Sequence, residues 1–495
     1  MNSGKTQGNH VHTVIVGAGF GGLCMGIKLR EAGVEDFVIL EKGSEVGGTW
    51  RDNQYPGAAC DVQSHLYSFS FAPKSDWSQR YAGWAEIQQY ILDVTERFDM
   101  RSCIRFGREV SSAVFDESSG LWTIGTSGGE TYVCRHWVLA SGPLHVPAYP
   151  DIKGLDTFKG KIIHSARWDK SYDFSGKRVA SLGSGGSAIQ YVPEIAPACG
   201  KLHVFQRTPA WVIQRDERTY PEWRKKLFGA LPFLRTLHRW RLYWGNESRV
   251  WPLFTPALAR LWQRRVLSIM RRQVSDSALF KKMVPGYTIG CKRVLISNKW
   301  LPTFNRPNVE LVTDGIDEIR EHSIVTTDGK ERDIDCLILG TGFVTDPRLY
   351  MKEFTLIGLG GRRLQDDWAK TPSAYLGVSV AGYPNMFQLV GPHSALGHNS
   401  IIFMIEAQVR HILTCMDEAK RRSAAWVAVK PEAQFKFLSW VTERLQGTVW
   451  TSGCRGWYQT AEGINFTIWP GSTWAYWLAC RRLKSADFEF GGLAK

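Results

Sequence analysis

His12-Thr13-Val14-Ile15-Val16-Gly17-Ala18-Gly19-Phe20-Gly21-Gly22 is the stretch from which the rest of the chain is read. Its β-branched run predicts a strand, and the glycines predict a turn. A helical pattern, LCMGIKLREAG, follows from Leu23, and then a second strand, Phe37-Val38-Ile39-Leu40, which closes on Glu41. Strand, glycine turn, helix and strand, with an acid about 20 residues after the glycines, form a dinucleotide-binding unit. In such a unit Gly17 permits the tight turn, Gly19 lets the backbone approach a pyrophosphate, and Gly22 allows close helix–strand packing. The helix N-terminus holds the phosphates, and Glu41 accepts hydrogen bonds from ribose hydroxyls.

The pattern recurs. Arg178-Val179-Ala180-Ser181-Leu182 predicts a strand, followed by Gly183-Ser184-Gly185-Gly186-Ser187-Ala188, a helix from Ile189, and the strand Leu202-His203-Val204-Phe205. Here the second strand ends in Gln206-Arg207-Thr208-Pro209, with no acid. A carboxylate at that place repels a 2′-phosphate, whereas Arg207 and the Thr208 hydroxyl bind one, so the second unit reads as a site for NADPH rather than NADH. A third run, Asp335-Cys336-Leu337-Ile338-Leu339, leads into Gly340-Thr341-Gly342-Phe343 and reads as the return of the chain to the first unit.

The expected fold class is α/β, with two Rossmann-like dinucleotide-binding domains, the second inserted in the first, and a helical insertion. We assign 1–150 and 336–495 to the first domain, 151–215 and 289–335 to the second, and 216–288 to the insertion. A chain of 495 residues suits two or three packed domains.

Composition narrows the class. Hydrophobic residues at 44% and charged residues at 22% suit a globular protein and exclude a disordered one. The first residues lack the layout of a signal peptide, and Pro384, Pro392 and His393 interrupt the most apolar stretch, so no membrane span is expected. Ten cysteines occur without a CxxC pair or a metal-like grouping, which predicts reduced thiols in a cytoplasmic protein and excludes disulfide-reductase chemistry. Between Trp223 and Arg293, 16 Lys and Arg face Glu247 and Asp276, a difference of 16 − 2 = +14 that equals the net charge of the whole chain. The segment reads as a helical insertion with a solvated basic face. A peripheral contact with anionic membrane is the other reading, and no nucleic-acid motif accompanies it. Leu227, Leu231, Leu234 and Leu237, then Leu253, Leu258 and Leu261, suggest helices packing over a site entrance.

Two bound nucleotides serve a reductase, a transhydrogenase or an oxygenase. Phe158-Lys159-Gly160-Lys161-Ile162-Ile163-His164-Ser165-Ala166-Arg167-Trp168-Asp169 bears on that choice, because it resembles the FxGxxxHxxxW(P/D) fingerprint of Baeyer–Villiger monooxygenases at every fixed position. Gly47-Gly48-Thr49-Trp50, Tyr55-Pro56-Gly57-Ala58-Ala59-Cys60-Asp61 and Ser64-His65-Leu66-Tyr67 are similar to the flavin-side region of that family. Cys291-Lys292-Arg293 resembles its catalytic-arginine segment, and Gly391-Pro392-His393 its flavin-facing loop.

The resemblance implies FAD and NADPH as cofactors, a ketone and O2 as substrates, an ester or lactone as product, and a monomer or homodimer. NADPH reduces the flavin, and O2 then gives a C4a-peroxyflavin that inserts oxygen beside the carbonyl. It implies Arg293 as the catalytic cation and Asp61 as its partner, beside the nicotinamide. Lys292 joins Arg207 and Thr208 at the 2′-phosphate, and adjacent residues of an extended stretch point opposite ways. Thr49, Trp50 and Tyr67 fall on the flavin side, Val110 at the adenine end, and Trp457 on a loop over NADP. His164 reads as a linker anchor rather than an acid–base group. A heteroatom oxygenase of the same fold is the nearest alternative, and a nucleotide-sensing protein without oxygenation is the more distant one.

Overall fold

The computed structural model describes residues 9–492. Its β-branched runs form strands because each alternates or buries apolar side chains on a sheet covered from both sides. Asn9–Val16 and Phe37–Glu41 pair in parallel, with Val14, Ile15, Ile39 and Leu40 buried, and the helix Phe20–Glu31 packs its Leu23, Met25 and Ile27 behind them. At the turn between strand and helix Gly17 adopts φ +103°, and a Cβ there would stand 2.8 Å from the Ala140 carbonyl oxygen. A Cβ on Gly22 would run into the carbonyl oxygen of Gly17. The turn therefore closes only without side chains.

The first sheet has eight strands. Seven run in the order Thr355–Ile357, Val110–Asp116, Leu121–Thr126, Thr131–Leu139, Asn9–Val16, Phe37–Glu41, Ile104–Phe106. Thr131–Leu139 shares one edge between two neighbours. Its first half pairs antiparallel with Leu121–Thr126, and its Trp137–Leu139 pairs parallel with the eighth strand, Met386–Gln388. The C-terminal part of the chain thus re-enters the first sheet at two places.

The second sheet has five parallel strands, in the order Val309–Val312, Lys201–Phe205, Arg178–Leu182, Cys336–Leu339, Lys161–His164. This corrects the expected boundary at residue 336. Cys336–Leu339 is a fully buried strand of the second sheet, hydrogen bonded on both sides, and the chain leaves that sheet only past Gly340. A four-residue apolar run looks the same whichever parallel sheet receives it, so sequence alone did not distinguish them.

The insertion within the second unit is helical, with Glu222–Ala230, Pro232–Glu247, Val250–Phe254, Pro256–Arg271 and Ser277–Met283. The leucines from which helices over a site entrance were expected differ in burial. Leu253 is buried, but Leu231, Leu237, Leu258 and Leu261 are exposed. The inward face of Pro232–Glu247 is taken instead by Leu242 and by polar groups, among them Asn246 and Glu247. Among the described residues no helix is long and apolar enough to cross a membrane.

The cysteine reading is also corrected. Cys291 and Cys454 form a disulfide, and eight cysteines are free. The partners lie 163 residues apart and meet only because a C-terminal loop folds back over the segment that follows the insertion.

Candidate active site

The fingerprint residues hold the two nucleotide units against one another. Phe158 is buried, and a Cβ on Gly160 would lie 2.6 Å from the Asp335 carbonyl oxygen, so only glycine fits beside that ring. His164 is buried at the end of the second-sheet strand Lys161–His164 rather than on a linker. Its Nδ1 accepts from the Ala166 N–H at 3.1 Å, its ring packs on Tyr149, and burial lowers its pKa. Its part is that of a structural acceptor. Trp168 packs on Tyr55 and Tyr191. The Tyr55 hydroxyl donates to Gln190 Oε1 at 3.0 Å, and Gln190 Nε2 donates to the Ala59 carbonyl at 2.9 Å. Gly57, at φ +75°, lies so close that a Cβ would stand 2.9 Å from the Gln190 carbonyl oxygen. The loop from Tyr55 to Asp61 is thereby pinned to the helix Ala188–Ile195 of the second unit.

That loop delivers Asp61 to Arg293. The guanidinium donates from Nε to one carboxylate oxygen at 2.9 Å and from an Nη to the other at 2.6 Å, a bidentate pair. The Asp61 charge raises the Arg293 pKa, so the cation is permanent. Of the Arg293 side chain 44% remains accessible, so the fork is oriented by Asp61 without being covered by it.

Lys292 faces another way. Burial, and then the nearby charge of Arg207, lower its pKa. Neither cation makes an ion pair among the described residues. Ser184, in the second glycine turn, donates to the Thr208 carbonyl at 3.0 Å, which ties the turn to the residue after Arg207. Two unpaired cations held near each other at the end of a nucleotide-binding strand form an anion site. Around Gly185 and Gly186 an added Cβ would meet nothing within 4 Å, so the turn is open to a phosphate, and Ser187 follows at the helix N-terminus. These residues fit NADP.

The first unit fits FAD in the same way. Gly19 is the N-cap of its helix and faces open space apart from Gly48, whose added Cβ would stand 3.4 Å from the Gly19 Cα. Thr49 begins a short helix beyond Gly48 and is exposed. Trp50 is buried, and its Nε1 donates to the Tyr67 hydroxyl at 3.1 Å. Glu41 is buried and accepts from the Ala18 N–H at 2.8 Å and from Arg51 at 2.7 Å. Arg51 also holds Asp52. Burial works against the Arg51 charge, but the two carboxylates outweigh it and raise the pKa. Val110 starts the strand two residues after Arg108, whose N–H donates to the Glu41 carbonyl at 2.9 Å, so it borders the acid end of the cradle.

A C-terminal loop lies against Lys292 and Arg293. Trp457 is 37% exposed and packs on Tyr458 at 4.3 Å between ring centroids, while the Trp457 carbonyl accepts from the Thr345 hydroxyl. Tyr458 is buried close to Arg293 and Asp61, and burial pushes its hydroxyl up to about 12. Gly456 lies against the Lys292 side chain, and the Cys291–Cys454 disulfide ties the same loop to the residue before Lys292. Ser141, Gly142, Thr345, Gly391, Pro392 and Trp457 line a cavity under the loop. Val390 and His393, on either side of Gly391-Pro392, hold left-handed φ of +57° and +60°, a strained wall that costs about 1–2 kcal/mol per residue.

Residues 14–227 match the family described as pyridine nucleotide-disulphide oxidoreductase. That match covers both glycine turns, and the sequence carries no CxxC pair. A Baeyer–Villiger monooxygenase of Pseudomonas aeruginosa is 40% identical over 97% of this chain and 91% of its own. One from Streptomyces coelicolor is 41% identical over 97% of this chain and 92% of its own. The chain belongs to the Baeyer–Villiger monooxygenase family. An oxidised steroid monooxygenase bound to NADP superposes with a TM-score of 0.88, at 31% identity, over 98% of this chain and 100% of that one. Arg51, Gln190 and Tyr458 make contacts with the candidate residues that sequence reasoning did not single out. Arg51 directly follows Trp50, and Tyr458 follows Trp457, so adjacency was the available signal. Gln190 carried none.

Proposed function

We propose that this enzyme converts a ketone and O2 into an ester or lactone at the expense of NADPH, with Arg293 as the catalytic cation and Asp61 as the group that aims it. FAD, reduced by NADPH, supplies the oxygen-transfer chemistry when bound. The protein supplies charge and position. Negative charge develops on the reacting oxygen atoms, and a fixed guanidinium stabilises it without having to reorganise. The bidentate hold of Asp61 on Arg293 is the observation that carries this reading. Lys292, Arg207 and Thr208 select the 2′-phosphate, Gly183, Gly185 and Ser187 the pyrophosphate, and the loop with Trp457 excludes water above them. Gly17, Gly19, Gly22, Glu41, Thr49, Trp50, Tyr67 and Val110 hold the FAD. The cavity beside Gly391-Pro392 receives the ketone. A cytoplasmic setting supplies the NADPH and suits the eight free cysteines.

The test offers the FAD-loaded enzyme a panel of cyclic, linear and aryl ketones together with a matched sulfide. Ketone-dependent loss of NADPH and O2, with ester or lactone as the product, supports the reading. Sulfoxide formation without any ester overturns it in favour of heteroatom oxygenation.

A further inference from the structure

The helix Pro232–Glu247 is turned inside out. Phe233, Leu237, Trp240 and Trp244 recur at helical spacing along one face, and they are 65%, 65%, 60% and 50% exposed. The opposite face carries the polar groups. Arg239 donates to the His65 carbonyl at 2.6 Å, and Asn246 and Gln63 exchange two side-chain hydrogen bonds, while at the C-terminal end of the helix the buried Glu247 accepts from the Thr473 N–H and from Asn399. These buried pairs fix the rotation of the helix. Turning the aromatic face inward would strand the Arg239 and Asn246 bonds. The Trp244 end adjoins a second outward pair, Trp474 and Leu478, because Thr473 is bonded to Tyr243 and Glu247.

The surroundings are cationic. Arg241 on the helix, Arg249 just after it, and Arg264 and Arg265 on the next long helix of the insertion, Pro256–Arg271, are all exposed. Between Trp223 and Arg272 the one acid is Glu247, which is buried. The flanking acids are already occupied, Glu222 by Lys225 and Asp276 by capping its own helix. A second copy of the chain would bring like charge against like charge, so a self-complementary interface is disfavoured. Nucleic acid would satisfy the arginines but not desolvate Phe233 and Leu237. An anionic lipid surface does both, with indoles at the headgroup level and arginines on the phosphates.

We propose that this face docks the enzyme peripherally on anionic membrane. It needs no turnover, so docking and the ketone chemistry fail separately.

The experiment floats FAD-loaded enzyme with vesicles of phosphatidylcholine containing roughly 30% phosphatidylglycerol. Binding should exceed that to phosphatidylcholine alone by about tenfold or more and fall as salt is raised from about 0.05 to 0.5 M. The Trp240→Ala/Trp244→Ala variant should lose about tenfold in partitioning while keeping the spectrum of bound FAD and its melting temperature. Arg264→Glu/Arg265→Glu, which leaves the stripe intact, should weaken binding to the anionic vesicles only. No flotation of the wild type at low salt overturns the proposal. So does undiminished flotation of the stripe variant, equal affinity for duplex DNA, or a dimer that the stripe variant abolishes.

Discussion

Arg293 and Asp61, 232 positions apart, meet as a two-point ion pair in which the carboxylate comes from a loop of the FAD unit and the guanidinium from the segment after the insertion. The pair therefore forms only when the two nucleotide units are docked. Trp168, Tyr55 and Gln190 are the contacts that dock them.

Lys292→Ala should raise the KM for NADPH by about 10- to 100-fold, the size of one charge-assisted bond to a phosphate, and leave the KM for NADH unchanged. Arg207→Ala should do the same. Steady-state kinetics with both coenzymes check this, and an equal loss with NADH would remove the 2′-phosphate assignment.

Gln190→Leu removes a side chain that serves Tyr55 and Ala59 together. Leaving these groups unpaired should cost about 1–3 kcal/mol of stability and lower kcat through a displaced Asp61. Denaturant unfolding and turnover, measured on the same preparation, test both effects.

His65 packs against His238 of the insertion helix Pro232–Glu247, and burial, the first cause, lowers their pKa values to about 3 and about 4. Both stay neutral in the folded protein while an unfolded histidine protonates below about 6.5. The folded state is thus unpenalised above about pH 6.5 and loses stability as pH falls from there towards the folded values. For the well-buried His65 the loss reaches up to about 2 kcal/mol at about pH 5. Melting temperature should drop between about pH 7 and 5, and His65→Asn should flatten that slope.

Cys291–Cys454 ties the Trp457 loop beside Lys292. Alkylation of the denatured chain should label eight thiols without reductant and ten with it. Cys454→Ser should weaken NADP+ binding while leaving the spectrum of bound FAD unaltered.

Much of this was legible in the sequence, where a local backbone requirement writes it. Gly17, Gly22 and Gly183 occupy turns that no side chain fits, and the loss of the acid after Phe205 marks the phosphate. What was not legible depends on long-range packing. The Cys291–Cys454 partnership, the place of Cys336–Leu339 in the second sheet and the service of Gln190 to the Asp61 loop join distant segments. The outward turn of Leu237 was not legible because amphipathicity shows that a helix has two faces, while buried partners such as Gln63 and His65 decide which one turns inward.

The most direct test of the central claim is product analysis of Arg293→Ala under 18O2 beside the wild type. The wild type should give an ester carrying one labelled oxygen. Arg293→Ala should still oxidise NADPH, release hydrogen peroxide, and form ester at least about a hundredfold more slowly. Labelled ester from Arg293→Ala at the wild-type rate would contradict the account.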